Sequence, residues 1–281
     1  MAQGGGQGHL LVERDGHVMV VTMNRPARKN ALSPEMMAGM AAAWEEANAD
    51  PEVRAVVLTG AGGDFCAGAD LAAMSASAPG DAFVRARDGD GGDREAAAAV
   101  AEIADGVIKP LLKGFLLDKP LVAAVEGAAI AGGTEILQAT DVRIAGESAR
   151  FGVSEVRWGI YPLGGSVVRL RRQVPYTVAA DLLLTGRHIG ADEALRIGLI
   201  GEVVPDGSAL DRALEVAAAI AANGPVAVQA VLRALRATEG VPEREAMRID
   251  SQIGMAVFGS DDAREGPRAF VEKRAPRFTG R

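Results

Sequence analysis

The sequence predicts an α/β core followed by a helical tail, on three observations. Short, β-branched apolar runs recur in the first half, and each closes in a small-residue turn before a helical pattern begins. Strand-like runs thin out after Gly164, and from Ala209 onward apolar residues recur at helical spacing between Gly and Pro breaks. Finally, 281 residues suffice for one large core but are short for two independent catalytic domains.

In order, His17 to Asn24 (HVMVVTMN) is the first strand, and Asn24-Arg25-Pro26 breaks it. Ser33-Pro34 then caps a helix running to about Asn48, since a hydroxyl before a proline suits a helix start. Arg54 to Gly60 (RAVVLTG) reads as a buried strand ending in Gly60-Ala61-Gly62-Gly63. The same unit returns at Leu121 to Gly127 (LVAAVEG), followed by a turn over Ala128 to Gly133 and a helix opening near Thr134. Short strands at Val142 to Ala145 and Arg150 to Val153 lead to Glu155. The tail helices are expected over 209–222, 225–237, 242–257 and 261–274.

Between these units, Ser75 to Asp93 is rich in Ala, Gly, Ser and Asp, and reads equally as a lid or an ornament; Arg94 to Leu117 resumes a helical pattern. The expected organisation is a flexible leader at 1–10, a core at 11–206 carrying an insertion at 75–118, and a helical region at 207–281.

Composition excludes several classes. A balance of 48% hydrophobic and 24% charged residues is that of a globular chain, and no apolar stretch reaches bilayer length. The leader lacks a basic and apolar export pattern, and the lone Cys66 cannot form an internal disulfide, so a reducing, cytoplasmic setting is expected. A net charge of −7 argues against nucleic acid as a partner, and three histidines without a cysteine cluster argue against a metal site.

The candidate chemistry lies on two turns and two carboxylates. The turn Asp64 to Asp70 (DFCAGAD) follows a buried strand with small residues that let a ligand approach the backbone, although such turns are by themselves usually tight packing. From Gly127 to Glu135 a strand runs into Ala131-Gly132-Gly133 and a helix, whose first N–H groups are unpaired and suit a developing negative charge. Glu135 alone is explained by the helix dipole, and Glu155 alone by a surface position or a helix entry. Together they fall beside apolar, Gly-rich segments, as a partly buried acid/base pair does.

Several ordered motifs resemble the crotonase superfamily of enoyl-CoA hydratases and isomerases, from about His17 to the C-terminus. They are Asn24-Arg25-Pro26 with Lys29-Asn30-Ala31-Leu32, Phe65 to Leu71, Lys119-Pro120 through Gly127, Gly132-Gly133-Thr134-Glu135, Asp141, Phe151-Gly152 through Glu155, and Phe270 to Arg274. The resemblance implies the crotonase (ClpP/crotonase-like) spiral of repeated ββα units with a C-terminal helical region. It implies a hydratase adding water across a trans-2-enoyl-CoA, with an enolate held by the N–H groups of Ala67 and Gly132. Glu135 would activate water for the β-carbon and Glu155 would protonate the α-carbon. Lys29, Ala31, Gly68, Ala69, Asp70, Leu71, Phe270 and Lys273 would border coenzyme A, and Met74, Trp158, Tyr161 and Leu163 the acyl group. No separate cofactor is implied, coenzyme A being part of the substrate. A homotrimer or dimer of trimers is expected.

The chain departs from the family pattern in the long stretch 75–118, in Thr134 where Cys is more usual, and in the bulky run Trp158 to Leu163. An isomerase, which typically keeps one carboxylate, is the nearest rival; a non-catalytic CoA- or RNA-binding homologue is a rival of another class. The histidine of dehalogenase relatives is expected to be missing, because none of His9, His17 and His188 lies near these motifs in sequence.

Overall fold

The computed structural model describes residues 8–70, 106 and 108–281. Leu71, Met74 and most of the expected insertion, with the start of its helix, lie outside them. The main sheet has six strands in the order β1-β2-β3-β4-β6-β9: β1 (Leu10–Asp15), β2 (Val18–Met23), β3 (Ala55–Gly60), β4 (Leu121–Val125), β6 (Val142–Gly146) and β9 (Glu202–Val204). Strands β1 and β2 pair antiparallel and the remaining neighbours parallel. A second sheet holds β5 (Ala128–Ile130), β7 (Arg150–Gly152) and β8 (Ile189–Gly190), with β7 central.

Alternation along the strands explains why both faces of the main sheet are covered. Met19, Val21, Met23, Val56, Leu58, Leu121, Ala123 and Val125 face a core that includes Met36, Met40 and Trp44 of α1 (Pro34–Ala49). Val18, Ala55, Val57, Val122, Ala124 and Ile144 face the other way. The Ser33 hydroxyl accepts from Met36 N–H at 3.2 Å, so α1 starts where its cap predicts.

The short α2 (Gly132–Leu137) follows β5 directly, and α3 (Ser166–Gln173), α4 (Tyr176–Thr185) and α5 (Ala191–Arg196) complete the core. Four helices follow: α6 (Ala209–Ala221), α7 (Pro225–Ala237), α8 (Glu243–Val257) and α9 (Asp261–Val271). The first of them is a core layer. Ala209, Ala213, Ala217 and Ala221 form an alanine stripe at i, i+4 spacing that lies on the second face of the sheet, so the expected boundary at 206/207 does not separate a tail from the core.

Other expectations also change. Residues 8–10 belong to the fold, because Asn24 donates from its N–H to His9 O at 2.8 Å and from its amide to Gly8 O at 3.1 Å. Ala128 to Ile130 is a strand where a turn was expected, paired with β7. The helix expected up to Leu117 ends, in the described residues, with π-helical backbone at 106 and 108 and a 3-10 turn over Lys109–Leu111. Pro110 lies inside it and Leu112 closes it in the left-handed region at φ 54°.

Candidate active site

Residues 65–69 run alongside β5 and are laced to it. Phe65 N–H donates to Glu126 O at 2.7 Å, Cys66 N–H to Ala128 O at 2.7 Å, and Ile130 N–H to Cys66 O at 2.8 Å. This brings Gly68 (φ 94°) against the start of α2, where a methyl group on it would fall 2.7 Å from the Ala131 Cβ. Ala131 itself is held at φ 51°, ψ −120°, a conformation a non-glycine residue rarely adopts; its N–H is tied to Gly152 O at 2.7 Å. The bend leaves Gly132 as the first helical residue, with its N–H outside the helical ladder.

This geometry corrects one assignment. The Ala67 N–H donates to Lys29 O at 2.9 Å, so it is engaged in holding the loop. Ala69 N–H has no acceptor among the described residues, and Ala69 N would lie 3.8 Å from a Cβ built on Gly132. Ala69 and Gly132 are therefore the two unengaged backbone donors that come side by side. Nothing in the residue types of Cys66-Ala67-Gly68-Ala69 distinguishes one alanine from the other, because the deciding acceptor is the distant carbonyl of Lys29.

Both glutamates are buried, and they are solvated differently. Glu135, in the first turn of α2, accepts from Gly164 N–H at 2.9 Å and from Ser166 N–H at 3.1 Å. Burial raises its pKa, and these backbone donors oppose the rise. Glu155 opens a 3-10 turn (Glu155–Trp158) after β7, and its Oε2 has no hydrogen-bond partner among the described residues. Burial, then the charge of Glu135, pushes Glu155 up to about 7. One carboxylate is thus placed to be an anion and the other to hold a proton near neutrality.

Three residues outside the expected set frame the site. Asn30, fully buried, donates to Ala61 O at 2.9 Å and Asp64 O at 2.6 Å and accepts from Arg25 N–H at 2.8 Å. Arg25 pairs with Asp70 at 3.0 Å and donates to Ala31 O at 2.6 Å, and Asp64 accepts from Ala128 N–H at 2.9 Å. These bonds fix Lys29 and Ala31 beside the loop of Gly68 and Ala69. The Lys29 ammonium, 3.5 Å from Asp64, is largely exposed and able to meet an anion. Asn30 and Lys29 both lie in the left-handed region, at φ 53° and 48°, and an asparagine, a residue type that tolerates this region, was the available sequence signal.

Thr134 has a structural task, accepting from Gly152 N–H at 3.0 Å and donating to Ala129 O, so it staples β5 to β7. Cys66 is buried and its thiol is pushed up to about 12, which leaves it unreactive. Although distant in sequence, His188 approaches one of the motifs in space, since a Cβ on Gly152 would meet its ring at 2.3 Å.

Trp158 and Tyr161 are 70% and 66% exposed, so the described residues of one chain do not enclose an acyl group between them. Leu163 is half-buried, its carbonyl accepting from the Lys113 ammonium at 2.8 Å. Phe270 is 85% exposed on α9. The terminal residues that pack on that helix reach Arg54, whose guanidinium donates to Phe278 O at 2.9 Å. Arg54 precedes β3 whereas the site follows it, and a six-residue strand spans about 20 Å. The start of α9 is therefore anchored toward the end of β3 opposite the site.

Residues 13–281 match the family model described as Enoyl-CoA hydratase/isomerase. The chain is 62% identical over 271 residues to the enoyl-CoA hydratase EchA19 of Mycobacterium tuberculosis, covering 96% of each. It is 35% identical to the (E)-benzylidenesuccinyl-CoA hydratase of Thauera aromatica, covering 96% of this chain and 99% of that one. The crystal structure of an enoyl-CoA hydratase from Mycobacterium tuberculosis superposes with a TM-score of 0.85 at 36% identity, covering 98% of this chain and all (100%) of the other.

Proposed function

The chain belongs to the enoyl-CoA hydratase/isomerase family and is an enoyl-CoA hydratase of crotonase fold, and from that premise we propose how its residues add water to a trans-2-enoyl-CoA. The thioester carbonyl accepts from the N–H groups of Ala69 and Gly132, which stabilise the enolate oxygen as charge develops on it; one such donor contributes about 3 kcal/mol. Glu135, ionised, takes a proton from water as it attacks the β-carbon. Glu155, protonated, delivers its proton to the α-carbon. Coenzyme A enters as part of the substrate, with Lys29, Ala31 and Gly68 to Asp70 along its path, and no separate cofactor is required.

The observation that carries this reading is the unequal pair of buried carboxylates, Glu135 with two backbone donors and Glu155 with an oxygen that has none among the described residues. Three further proposals accompany it. The chain works as a homotrimer or dimer of trimers, supported by the exposed Val231, Leu235, Met247, Met255, Phe258 and Phe270 of the C-terminal helices. In that assembly, Phe270 and Lys273 reach coenzyme A of a neighbouring subunit. The enzyme acts in the cytoplasm, in acyl-chain breakdown. Mass spectrometry tests the chemistry: the enzyme with trans-2-enoyl-CoA esters should yield 3-hydroxyacyl-CoA, heavier by one water. Conversion only of 3-enoyl esters, without gain of mass, would establish an isomerase instead.

A further inference from the structure

Arg169, in the first turn of α3, sends its side chain back beneath Glu135 instead of out to solvent. Its Nη1 donates to Leu111 O at 3.0 Å, to Gly164 O at 3.3 Å and to Glu135 O at 3.4 Å, and its Nη2 donates to Leu112 O at 2.6 Å. These four carbonyls come from three segments: the 3-10 turn at 109–112, the start of α2, and the loop before α3. The same segments enclose the Glu135 carboxylate. Gly164 and Ser166 donate to it, and Gly164 packs so closely that a Cβ there would meet Leu111 Cδ1 at 2.5 Å and Glu135 Oε2 at 2.6 Å. Trp44 secures the far side of the turn through its N–H to Pro110 O at 2.9 Å.

We infer that Arg169 is a positioning residue for the hydration step: its guanidinium ties the three segments around Glu135 into one cradle and sets a fixed positive charge beside the base. It touches no reacting atom and acts through Glu135. The planar fork matters because four carbonyls at different bearings need donors on both terminal nitrogens, which a lysine ammonium on a single stem does not reproduce.

The charges around the pair are few among the described residues. Glu155 faces Glu135 with like charge when ionised, and Arg169 opposes it. Arg169 in turn faces Arg236 and Glu239 at the end of α7, and Arg236 is paired with Asp141 at 3.2 Å. Burial lowers the Arg169 pKa and the charge of Glu135 raises it, and a guanidinium remains charged under both. Among the described residues, the charge interaction between Arg169 and Glu135 favours the ionised carboxylate, beside the backbone donors of Gly164 and Ser166.

The test compares the full-length enzyme with Arg169→Met and Arg169→Lys by kcat, KM, the pH dependence of kcat and thermal melting. Arg169→Met should lower kcat about a hundredfold through misplacement of the base, with KM within about twofold. Its acid limb should move up by about one pH unit, because losing the cation disfavours the carboxylate. Arg169→Lys keeps the charge, so its acid limb should stay near that of wild type while kcat falls about tenfold. A folded Arg169→Met enzyme with wild-type kcat and an unmoved acid limb overturns the inference. If Arg169→Met does not fold, Arg169→Lys decides: reduced kcat with an unmoved limb supports it, and wild-type kcat or failure to fold overturns it. The inference rests on the hydratase reading, and the two fail distinguishably. Wild type inactive on every enoyl-CoA removes that reading, whereas active wild type with indistinguishable variants removes only the role of Arg169.

Discussion

Glu135 accepts hydrogen bonds from the N–H groups of Gly164 and Ser166, whereas Glu155, close enough to feel its charge, keeps Oε2 buried and without a partner among the described residues. The two carboxyls titrate as a pair, so the pH dependence belongs to both. For kcat/KM we expect a bell with its alkaline limb at about 7, where Glu155 gives up its proton, and its acid limb above the ordinary carboxylate range, because burial raises Glu135. A rate profile on the free enzyme checks this; activity still climbing well above neutrality would contradict it.

The same raised pKa has a consequence for stability. A carboxyl whose folded pKa lies above its unfolded value contributes stability that is present below the unfolded pKa and is lost as pH rises through the folded one. For Glu155 that window runs from the ordinary carboxyl value of 4.5 to about 7. Glu155→Gln, which cannot ionise, should therefore be more stable than wild type by roughly 2–3 kcal/mol at about pH 8 and nearly equal to it at about pH 5. Urea unfolding at both pH values measures the difference, and an equal offset at both would refute the assignment.

Gly164 leaves no room for a side chain. Gly164→Ala would set a methyl 2.6 Å from Glu135 Oε2 and 2.5 Å from Leu111 Cδ1, so the carboxylate must move. We expect kcat to fall about a hundredfold and stability by about 1–3 kcal/mol. Steady-state kinetics beside a melting curve separate the two effects, and a variant with wild-type kcat would show that the contact does not position the base.

Replacing single backbone N–H groups distinguishes the donors of the thioester site. An ester linkage introduced at Ala69 should lower kcat by about 10²–10³. The same replacement at Ala67 should remove its bond to Lys29 O and weaken folding by about 1 kcal/mol while leaving most of kcat. The opposite pattern would restore Ala67 as the donor.

Much of this arrangement was legible before the fold was known. The cap at Ser33, the buried runs of β2, β3 and β4, and the breaks between the C-terminal helices carry local signals that packing did not override. Strand β1 was missed because it is an edge strand whose last four residues are exposed, which erases alternation. Strand β5 was missed because three residues carry no period. In the site, both glutamates could be picked out from the Gly-rich segments beside them. The choice between Ala67 and Ala69, the cradle made by Arg169 and the approach of His188 to Gly152 could not, since each depends on partners far apart in the chain.

The most direct test of the central claim follows single-turnover hydration of a trans-2-enoyl-CoA by the loss of its conjugated ultraviolet absorbance, with wild type beside Glu135→Gln and Glu155→Gln. The account predicts rapid loss with wild type and a fall of about 10²–10⁴ in rate with each variant, at nearly unchanged substrate binding. Full rates in both variants, with wild type active, would contradict it.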